Sequence, residues 1–120
     1  MAATIMVVDD DDLIRKYIGV LLGSAGYQVS MMSDAEQVLA ALRSGARPDL
    51  LLTDVLLDGK TNGFQLAGAA YGIVPDLKVL YSSGFACLDD FEGAPAEYYV
   101  LAKPYNRQRC FDIVARILAS

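Results

Sequence analysis

The chain has 120 residues, which is enough for one domain with an ordinary hydrophobic core. Fifteen acidic residues against ten basic ones give a net charge of −5, which argues against a nucleic-acid partner because the nucleic-acid backbone requires a basic surface. The absence of histidine excludes Ser-His triads and histidine-ligated metals, and no apolar run approaches the ~20 residues of a membrane helix.

Apolar periodicity predicts the elements of the first half of the chain. The predicted order is a strand over residues 4–8, a helix over 13–22, a β-prone segment over 28–32 and a second helix. Gly23 and Gly26 stop the first helix, and the run Ser33-Asp-Ala-Glu36 fits a capping box that opens the second. Gly45 ends that second helix.

The second half of the chain continues the alternation. Its predicted elements are a buried strand over residues 50–54, a helix over 64–71, a strand over 78–82, a brief helix over 88–92, a strand over 98–102 and a last helix that Asn106 caps. Five strands that alternate with five helices are typical of βαβ units. We therefore predict an α/β fold in one domain over residues 1–120, with a mostly parallel sheet covered on both faces.

The two cysteines, Cys87 and Cys110, match no metal-binding pattern. Cys110 lies on the predicted apolar face of the last helix, where a buried cysteine acts as a small hydrophobe. The N-terminus lacks the basic flank and the long apolar stretch of a secretion signal, so we expect the mature chain to begin near Met1. We expect a cytoplasmic location.

Charged residues stand where predicted strands end. Asp9 and Asp10 follow the first strand, Asp54 closes the third, and Lys103 follows the fifth. In an open parallel sheet these ends lie at one edge, beside the crevice where ligands bind. The pattern therefore predicts one site built from residues that are far apart in sequence.

Three carboxylates in one crevice repel one another, so one must be protonated or a cation must lie among them. Mg²⁺ suits the arrangement because it prefers oxygen ligands and is commonly held by carboxylates together with a phosphate. With a metal to screen its charge, Asp54 could act as a nucleophile that forms an acyl phosphate. Lys103 supplies a compact positive charge, and the hydroxyl of Ser83 could donate to a phosphoryl oxygen.

Several of these assignments have alternatives. Asp11 and Asp12 are expected to be helix N-terminal acids, which the helix dipole favours, although a strand one residue longer would make Asp10 and Asp11 the metal-binding pair. Ser82 competes with Ser83 for the hydroxyl role. By itself the lysine could be a solvated residue at a strand end, and only its conjunction with the acids favours a functional role.

Four motifs occur in order at the predicted strand ends. They are Val7-Val8-Asp9-Asp10 followed by Leu13-Ile14-Arg15, Leu51-Leu52-Thr53-Asp54 followed by Asn62-Gly63, Val79-Leu80-Tyr81-Ser82-Ser83-Gly84, and Lys103-Pro104-Tyr105. Together they resemble the response-regulator receiver family over residues 4–118, and the long loop after Asp54 is similar to that of receivers attached to hybrid sensor histidine kinases. The resemblance implies a flavodoxin-like, doubly wound sheet of five parallel strands in the order 2-1-3-4-5, with five helices.

The resemblance also implies a function in two-component phosphorelay signalling. Asp54 would accept a phosphoryl group from a phosphohistidine of a histidine kinase or a histidine phosphotransfer protein, and the domain would signal to a downstream protein by conformational change. Asp10, Asp54 and the backbone carbonyl of Leu56 would bind Mg²⁺ directly, while Asp9 would act through water. The chain would not be an enzyme, although it would promote its own phosphorylation and dephosphorylation.

The other implied roles concern the phosphoryl group and its coupling to the protein surface. Ser83 and Lys103 would contact the phosphoryl oxygens, and Ser83 is also a switch candidate through the coupling between this hydroxyl and an aromatic residue. The family's switch aromatic normally stands three residues before the lysine, where this chain has Val100, and Tyr98 on the same strand face is the other candidate. A further departure from the family is Asp58, which stands where the loop after the acceptor usually has proline.

Two bulky apolar residues, Leu56 and Phe85, stand two positions after Asp54 and Ser83. They could exclude the hydrolytic water, so we predict a long-lived phosphoryl group. Leu56 also argues against a phosphohydrolase with an aspartyl nucleophile, since haloacid-dehalogenase-like enzymes place a second acid at this position. The other alternative is a non-phosphorylated interaction module on the same fold, against which the intact acids and lysine argue.

Overall fold

The computed structural model describes residues 2–57, 61–84, 92–95 and 97–120. Within these ranges it contains five strands and four helices. They are β1 (Thr4–Val8), α1 (Asp12–Ser24), β2 (Gln28–Met32), α2 (Ala35–Arg43), β3 (Leu50–Asp54), α3 (Gly63–Tyr71), β4 (Val79–Ser83), β5 (Tyr99–Ala102) and α4 (Arg107–Ala119). The predicted brief helix over residues 88–92 lies, apart from its last residue, outside the described residues. None of the described helices is both long enough and apolar enough to cross a membrane.

The five strands form one parallel sheet in the order β2-β1-β3-β4-β5. β2 is added on one side of β1 and the later strands on the other, so the winding reverses between β1 and β3. This order confirms the predicted flavodoxin-like, doubly wound α/β fold. The carboxyl ends of β1, β3, β4 and β5 lie at the same edge of the sheet.

Alternate residues of the central strands pack on opposite faces of the sheet. Ile5 and Val7 of β1 belong to the core beneath α1 and α4, whereas Met6 and Val8 belong to the core beneath α2 and α3. Strands buried on both faces need nearly continuous apolar sequence, which explains the apolar runs of β1 and β3. Cys110 of α4 is fully buried, as predicted, and burial raises the pKa of its thiol to about 11.

Polar side chains begin the four helices, and the N-caps are Asp11, Asp34, Asn62 and Asn106. Each accepts a hydrogen bond from a backbone N–H of the first turn. The predicted capping box at Ser33 and Glu36 is wrong by one residue. Because Asp34 is the cap, Gln37 occupies the third helical position, and its Oε1 accepts a hydrogen bond from Ser33 N at 2.8 Å.

Three strand boundaries, in β4 and β5, differ from the predicted ones by one residue. β4 covers Val79–Ser83 rather than residues 78–82, and β5 begins at Tyr99 rather than at residue 98. The pairing between the strands sets these limits, because Tyr99 is the first residue of β5 to pair with β4 and Ser83 pairs with Ala102. The shift makes Ser83, rather than Ser82, the last residue of β4.

Candidate functional site

The segment between β1 and α1 supplies the first acids of the site. Asp9 is 2% exposed, its Oδ1 accepts a hydrogen bond from Asp11 N at 2.9 Å, and its Oδ2 lies 3.4 Å from Lys103 Nζ. Asp11 is engaged elsewhere, because its carboxylate caps α1 by accepting from two N–H groups of the first turn. This engagement disfavours the alternative in which Asp10 and Asp11 form the metal-binding pair.

Asp54 completes the acidic cluster from the end of β3. Its Oδ2 lies 3.0 Å from Lys103 Nζ, and its Oδ1 accepts a longer hydrogen bond from Leu56 N at 3.3 Å. One carboxylate oxygen from each of Asp9, Asp10 and Asp54 lies within 4.8 Å of the other two. The structure thus brings together the three acids and the lysine that the strand ends predict.

Burial and mutual charge determine the electrostatics of the site. Burial raises the pKa of Asp54, the hydrogen bond and charge of Lys103 oppose this shift, the charge of Asp9 adds to it, and the pKa stays above its ordinary value. Burial lowers the pKa of Lys103, but the hydrogen bond to Asp54 and the charges of Asp54 and Asp9 outweigh burial and raise that pKa. The lysine is therefore protonated, and its ammonium pairs with two of the three acids of the cluster.

This excess of negative charge suits a divalent cation. The atoms that the cluster offers are carboxylate oxygens, which are the ligands of hard cations such as Mg²⁺. Asp9 is buried, Asp54 is half-buried and Asp10 is exposed, so the cluster can be reached from solvent. Such access accommodates the waters that Mg²⁺ retains in protein sites. The residues present therefore fit a Mg²⁺ ion.

The loop that follows Asp54 returns close to the acid. Leu56 and Asn62 form an isolated antiparallel bridge, and Gly63 N donates to the carbonyl oxygen of Val55 at 2.7 Å. A Cβ atom on Gly63 would lie only 2.4 Å from the carbonyl oxygen of Asp54. Glycine is therefore required where α3 begins, because only a residue without Cβ permits this approach of the two backbones.

Comparison with known proteins bears on the family of the chain. A family model described as the response regulator receiver domain matches residues 5–115. The response regulator receiver protein CpdR of Brucella abortus is 30% identical over 116 residues, which are 95% of this chain and 95% of CpdR. This chain belongs to the response regulator receiver family. It is a receiver domain of the kind that two-component signalling proteins contain.

Other proteins similar to this receiver domain differ in length and in source. The transcriptional regulator NtrC of Rhizobium meliloti is 33% identical over 98% of this chain but only 24% of its own length. The structure of a response regulator receiver protein from Sinorhizobium medicae covers 99% of this chain and 96% of its own, with a TM-score of 0.87 and 28% identity. The receiver domain of a sensor histidine kinase from Pseudomonas aeruginosa, which has a magnesium ion coordinated in its active site cleft, shares the fold with a TM-score of 0.87 and 23% identity over 100% of both chains.

Two buried serines end β4 of the receiver domain. Ser82 pairs in register with Asp54. Burial raises the pKa of the Tyr105 hydroxyl, and a hydrogen bond with the side chain of Ser82 opposes that shift. Ser83 is 3% exposed, and its carbonyl oxygen accepts a hydrogen bond from Lys103 N at 2.9 Å. The assignment of Ser83, rather than Ser82, as the residue that contacts a phosphoryl group stays a prediction.

Of the two residues predicted to exclude hydrolytic water, Leu56 is described by the structure and Phe85 is not. The side chain of Leu56 is 45% exposed although it is apolar, and its backbone N–H contacts the Asp54 carboxylate. An exposed leucine beside the acid is consistent with a role at the entrance to the site. Asp58 also lies outside the described residues, so the predictions for Asp58 and Phe85 stay predictions.

Two of the three switch candidates, Tyr98 and Val100, pack against the core beneath α2 and α3. Val100 pairs in register with Tyr81. The ring of Tyr98 makes edge contacts with the rings of Phe64 and Tyr81, at centroid distances of 5.1 and 6.0 Å. Phe64 directly follows Gly63 at the start of α3, so a single ring connects Tyr98 to the loop beside the acids. The role of Tyr98 or Val100 as a switch residue stays a prediction.

Arg15 of α1, which belongs to the first of the four motifs, also contacts the site, although the sequence analysis gave it no role there. Its Nη1 donates to the carbonyl oxygen of Asp9 at 2.6 Å, and its Nη2 contacts the carboxylate of Asp12. The three-residue spacing between Asp12 and Arg15 is a signal for their ion pair on a helix. No pattern in the sequence indicates the hydrogen bond to Asp9, because that contact depends on how the preceding loop turns into the helix.

Proposed function

We propose that this receiver domain accepts a phosphoryl group on Asp54 from a phosphohistidine of a partner protein, in a reaction that depends on Mg²⁺. The observation that carries the proposal is the convergence of the Asp9, Asp10 and Asp54 carboxylates within 4.8 Å of one another. Lys103 Nζ, at 3.0 Å from Asp54, adds the positive charge that such a transfer requires. Membership of the receiver family supports the same function.

Asp9, Asp10 and Asp54, together with the backbone carbonyl of Leu56, would hold Mg²⁺. When bound, the ion supplies positive charge that screens the repulsion between an aspartate and an incoming phosphoryl group. By analogy with the family, Asp10 and Asp54 would be direct ligands and Asp9 would bind through water. Because burial raises the pKa of Asp54, positive charge nearby favours the ionised form that acts as the nucleophile.

In the proposed transfer, a carboxylate oxygen of Asp54 attacks the phosphorus atom and the P–N bond of the phosphohistidine breaks. The electron pair of that bond stays with the imidazole nitrogen, and an acyl phosphate forms on Asp54. Lys103 and Ser83 would stabilise the transferred group by donating N–H and O–H hydrogen bonds to its oxygens. If Lys103 Nζ moved from the Asp54 carboxylate to the phosphoryl group, the contacts of the preceding strand, β5, would change. The domain would signal through this change.

The phosphohistidine must lie outside these 120 residues, because they contain no histidine. A histidine kinase or a histidine phosphotransfer protein would supply it. We propose that the domain acts in the cytoplasm and that a downstream protein recognises its phosphorylated conformation.

Intact-protein mass spectrometry tests this proposal, with acetyl phosphate as the phosphoryl donor. We expect a mass increase of one phosphoryl group in the presence of Mg²⁺ and none when Mg²⁺ is chelated. Asp54→Ala should abolish the increase. Asp49→Ala is the matched control, because Asp49 is a carboxylate at the opposite end of β3, and it should be phosphorylated like the wild type.

Phosphorylation of Asp54→Ala to the wild-type extent would contradict the proposal. If the wild type neither gains mass nor binds Mg²⁺, the domain is instead a non-phosphorylated interaction module. Titration of the wild type with Mg²⁺, followed in two-dimensional NMR spectra, makes that distinction.

A further inference from the structure

Arg15 contacts the acidic cluster through a backbone carbonyl group rather than through one of its carboxylates. Its side chain is only 16% exposed, Nη1 donates to the carbonyl oxygen of Asp9 at 2.6 Å, and Nη2 contacts the Asp12 carboxylate. The first contact is made to the segment that joins β1 to α1, and the second to the first residue of α1. A guanidinium can hold two acceptors in a fixed geometry because its N–H groups lie in one plane.

The carbonyl group that Arg15 contacts belongs to the peptide unit between Asp9 and Asp10. A peptide unit is planar, so fixing its oxygen also limits the directions in which the two flanking side chains leave the backbone. Asp9 has further restraints, because its carboxylate accepts from Asp11 N at 2.9 Å and lies 3.4 Å from Lys103 Nζ. The Asp10 side chain is exposed, so its direction depends more on the backbone.

We infer that Arg15 is a positioning residue that orients Asp9 and Asp10 for binding Mg²⁺. The inference rests on the proposed function, since it concerns the same cluster of acids. Arg15 touches neither the phosphoryl group nor the metal in this account and acts through the Asp9–Asp10 peptide unit. Groups that orient metal ligands typically change metal affinity by about 10–100-fold when they are removed.

If Arg15 acted only through its charge, replacing it with a neutral residue should have the opposite effect on Mg²⁺ affinity. A guanidinium close to a cation site repels the cation, so removal of its charge should strengthen Mg²⁺ binding if charge were its only effect. Loss of orientation should weaken binding. The sign of the change in Mg²⁺ affinity therefore distinguishes a positioning role from a purely electrostatic one.

The experiment is a Mg²⁺ titration of wild type, Arg15→Gln, Arg15→Lys and the control Lys16→Gln, followed by NMR. Lys16 is exposed on the same turn of α1, so its substitution removes one positive charge without removing the contact to Asp9. For Arg15→Gln we expect the Kd for Mg²⁺ to rise about tenfold, at the lower end of the range for orienting groups. Lys16→Gln should leave the Kd unchanged or lower it.

Arg15→Lys separates charge from geometry, because an ammonium keeps the charge but lacks the planar arrangement of donors. Weaker Mg²⁺ binding by this variant supports the inference, and it serves as the deciding variant if Arg15→Gln does not fold. Thermal unfolding in a chelator is measured in parallel. Phosphorylation rates should return to the wild-type value at saturating Mg²⁺, because the reacting groups are intact.

A Kd for Mg²⁺ in Arg15→Gln that equals or falls below the wild-type value would overturn the inference and leave the proposed function intact. An equal Kd in Arg15→Lys would overturn it in the same way if Arg15→Gln is unfolded. Failure of the wild type to bind Mg²⁺ is a different result, because it would remove the proposed function itself.

Discussion

The two ends of the sheet use charged residues in different ways. At the amino end, Asp49 accepts hydrogen bonds from the backbone N–H and the hydroxyl of Thr4, and Lys78 donates to the carbonyl oxygen of Ser120. Each of these contacts joins one charged side chain to another element of the fold. At the carboxyl end, by contrast, three carboxylates lie close to one another, and the ammonium of Lys103 pairs with those of Asp9 and Asp54. The fold provides partners for the charges at the amino end, whereas the acids at the carboxyl end suit a divalent cation.

Charged residues at the amino end of the sheet should therefore contribute to stability, whereas those at the carboxyl end should serve binding and reaction. Acids held together in a partly buried crevice repel one another and destabilise the folded state. Clusters of this kind are found where a protein binds or reacts, because their perturbed titration serves that purpose. Substitutions at the carboxyl end should therefore change chemistry and respond to Mg²⁺, whereas substitutions at the amino end should change stability alone.

Replacing Lys103 with methionine should have the largest effect on stability. The change leaves Asp9, which is 2% exposed, without its ammonium partner, and breaking a fully buried ion pair costs ~3–5 kcal/mol. Because the Lys103 side chain is 20% exposed, we expect a smaller loss of about 2 kcal/mol in urea unfolding with a chelator present. Mg²⁺ should restore more stability to Lys103→Met than it adds to the wild type. Equal gains in the two proteins would show that the acids do not cause the loss.

Replacing Leu56 with asparagine should change chemistry with little change in stability. The smaller polar side chain would admit water to the phosphorylated Asp54, and we expect dephosphorylation to become about tenfold faster, which corresponds to about 1.4 kcal/mol of barrier. The decay of the phosphorylated mass after removal of the donor measures the rate. Val20→Asn is the control, since Val20 is a 74% exposed apolar residue of α1. Equal lifetimes of Leu56→Asn and Val20→Asn would refute the role assigned to Leu56.

Replacing Asp49 with alanine, at the amino end of the sheet, should lower stability without changing the chemistry of the acidic cluster. The substitution removes the acceptor for Thr4 N, at 2.8 Å, and for the Thr4 hydroxyl, at 3.2 Å. Since these contacts are exposed, we expect a loss of about 1 kcal/mol of unfolding free energy. Mg²⁺ affinity and the extent of phosphorylation should match the wild type. A change in either would mean that the two ends of the sheet are coupled.

The smallest expected effect is a pH dependence that arises from Asp54. Because its pKa is raised in the folded state, the stability that this group contributes is fully present below its ordinary pKa of 3.8 and is lost as the pH rises through the folded-state pKa. In a chelator, the wild type should therefore lose stability relative to Asp54→Asn as the pH rises over this window. Urea unfolding of both proteins at a series of acidic pH values measures the difference. A constant difference would show that the pKa is not raised.

The fold could be predicted from sequence because buried parallel strands are nearly continuous apolar runs. The end of β3 at Asp54 is as predicted, since its apolar run stops at a charged residue. The end of β4 and the start of β5 could not be predicted to the residue, because the pairing of these two strands sets them. The choice between Ser33 and Asp34 as the cap of α2 likewise depends on where the helix begins in three dimensions.

Convergence of the acids and Lys103 could also be predicted, because parallel strands bring their carboxyl ends to one edge. Contacts that depend on how side chains pack between elements could not. The hydrogen bond between Ser82 and Tyr105 joins β4 to the segment before α4, and the one from Arg15 to Asp9 O joins α1 to the preceding loop. Neither pair stands at a spacing that a regular element would bring together.

The most direct test of the central claim is to locate the phosphorylated residue. Borohydride reduces the acyl phosphate of an aspartate to homoserine, and mass spectrometry of peptides assigns the product to a position. After phosphorylation in the presence of Mg²⁺, we predict homoserine at the position of Asp54 and at neither Asp9 nor Asp10. Homoserine at one of those two positions, with Asp54 unmodified, would contradict the account.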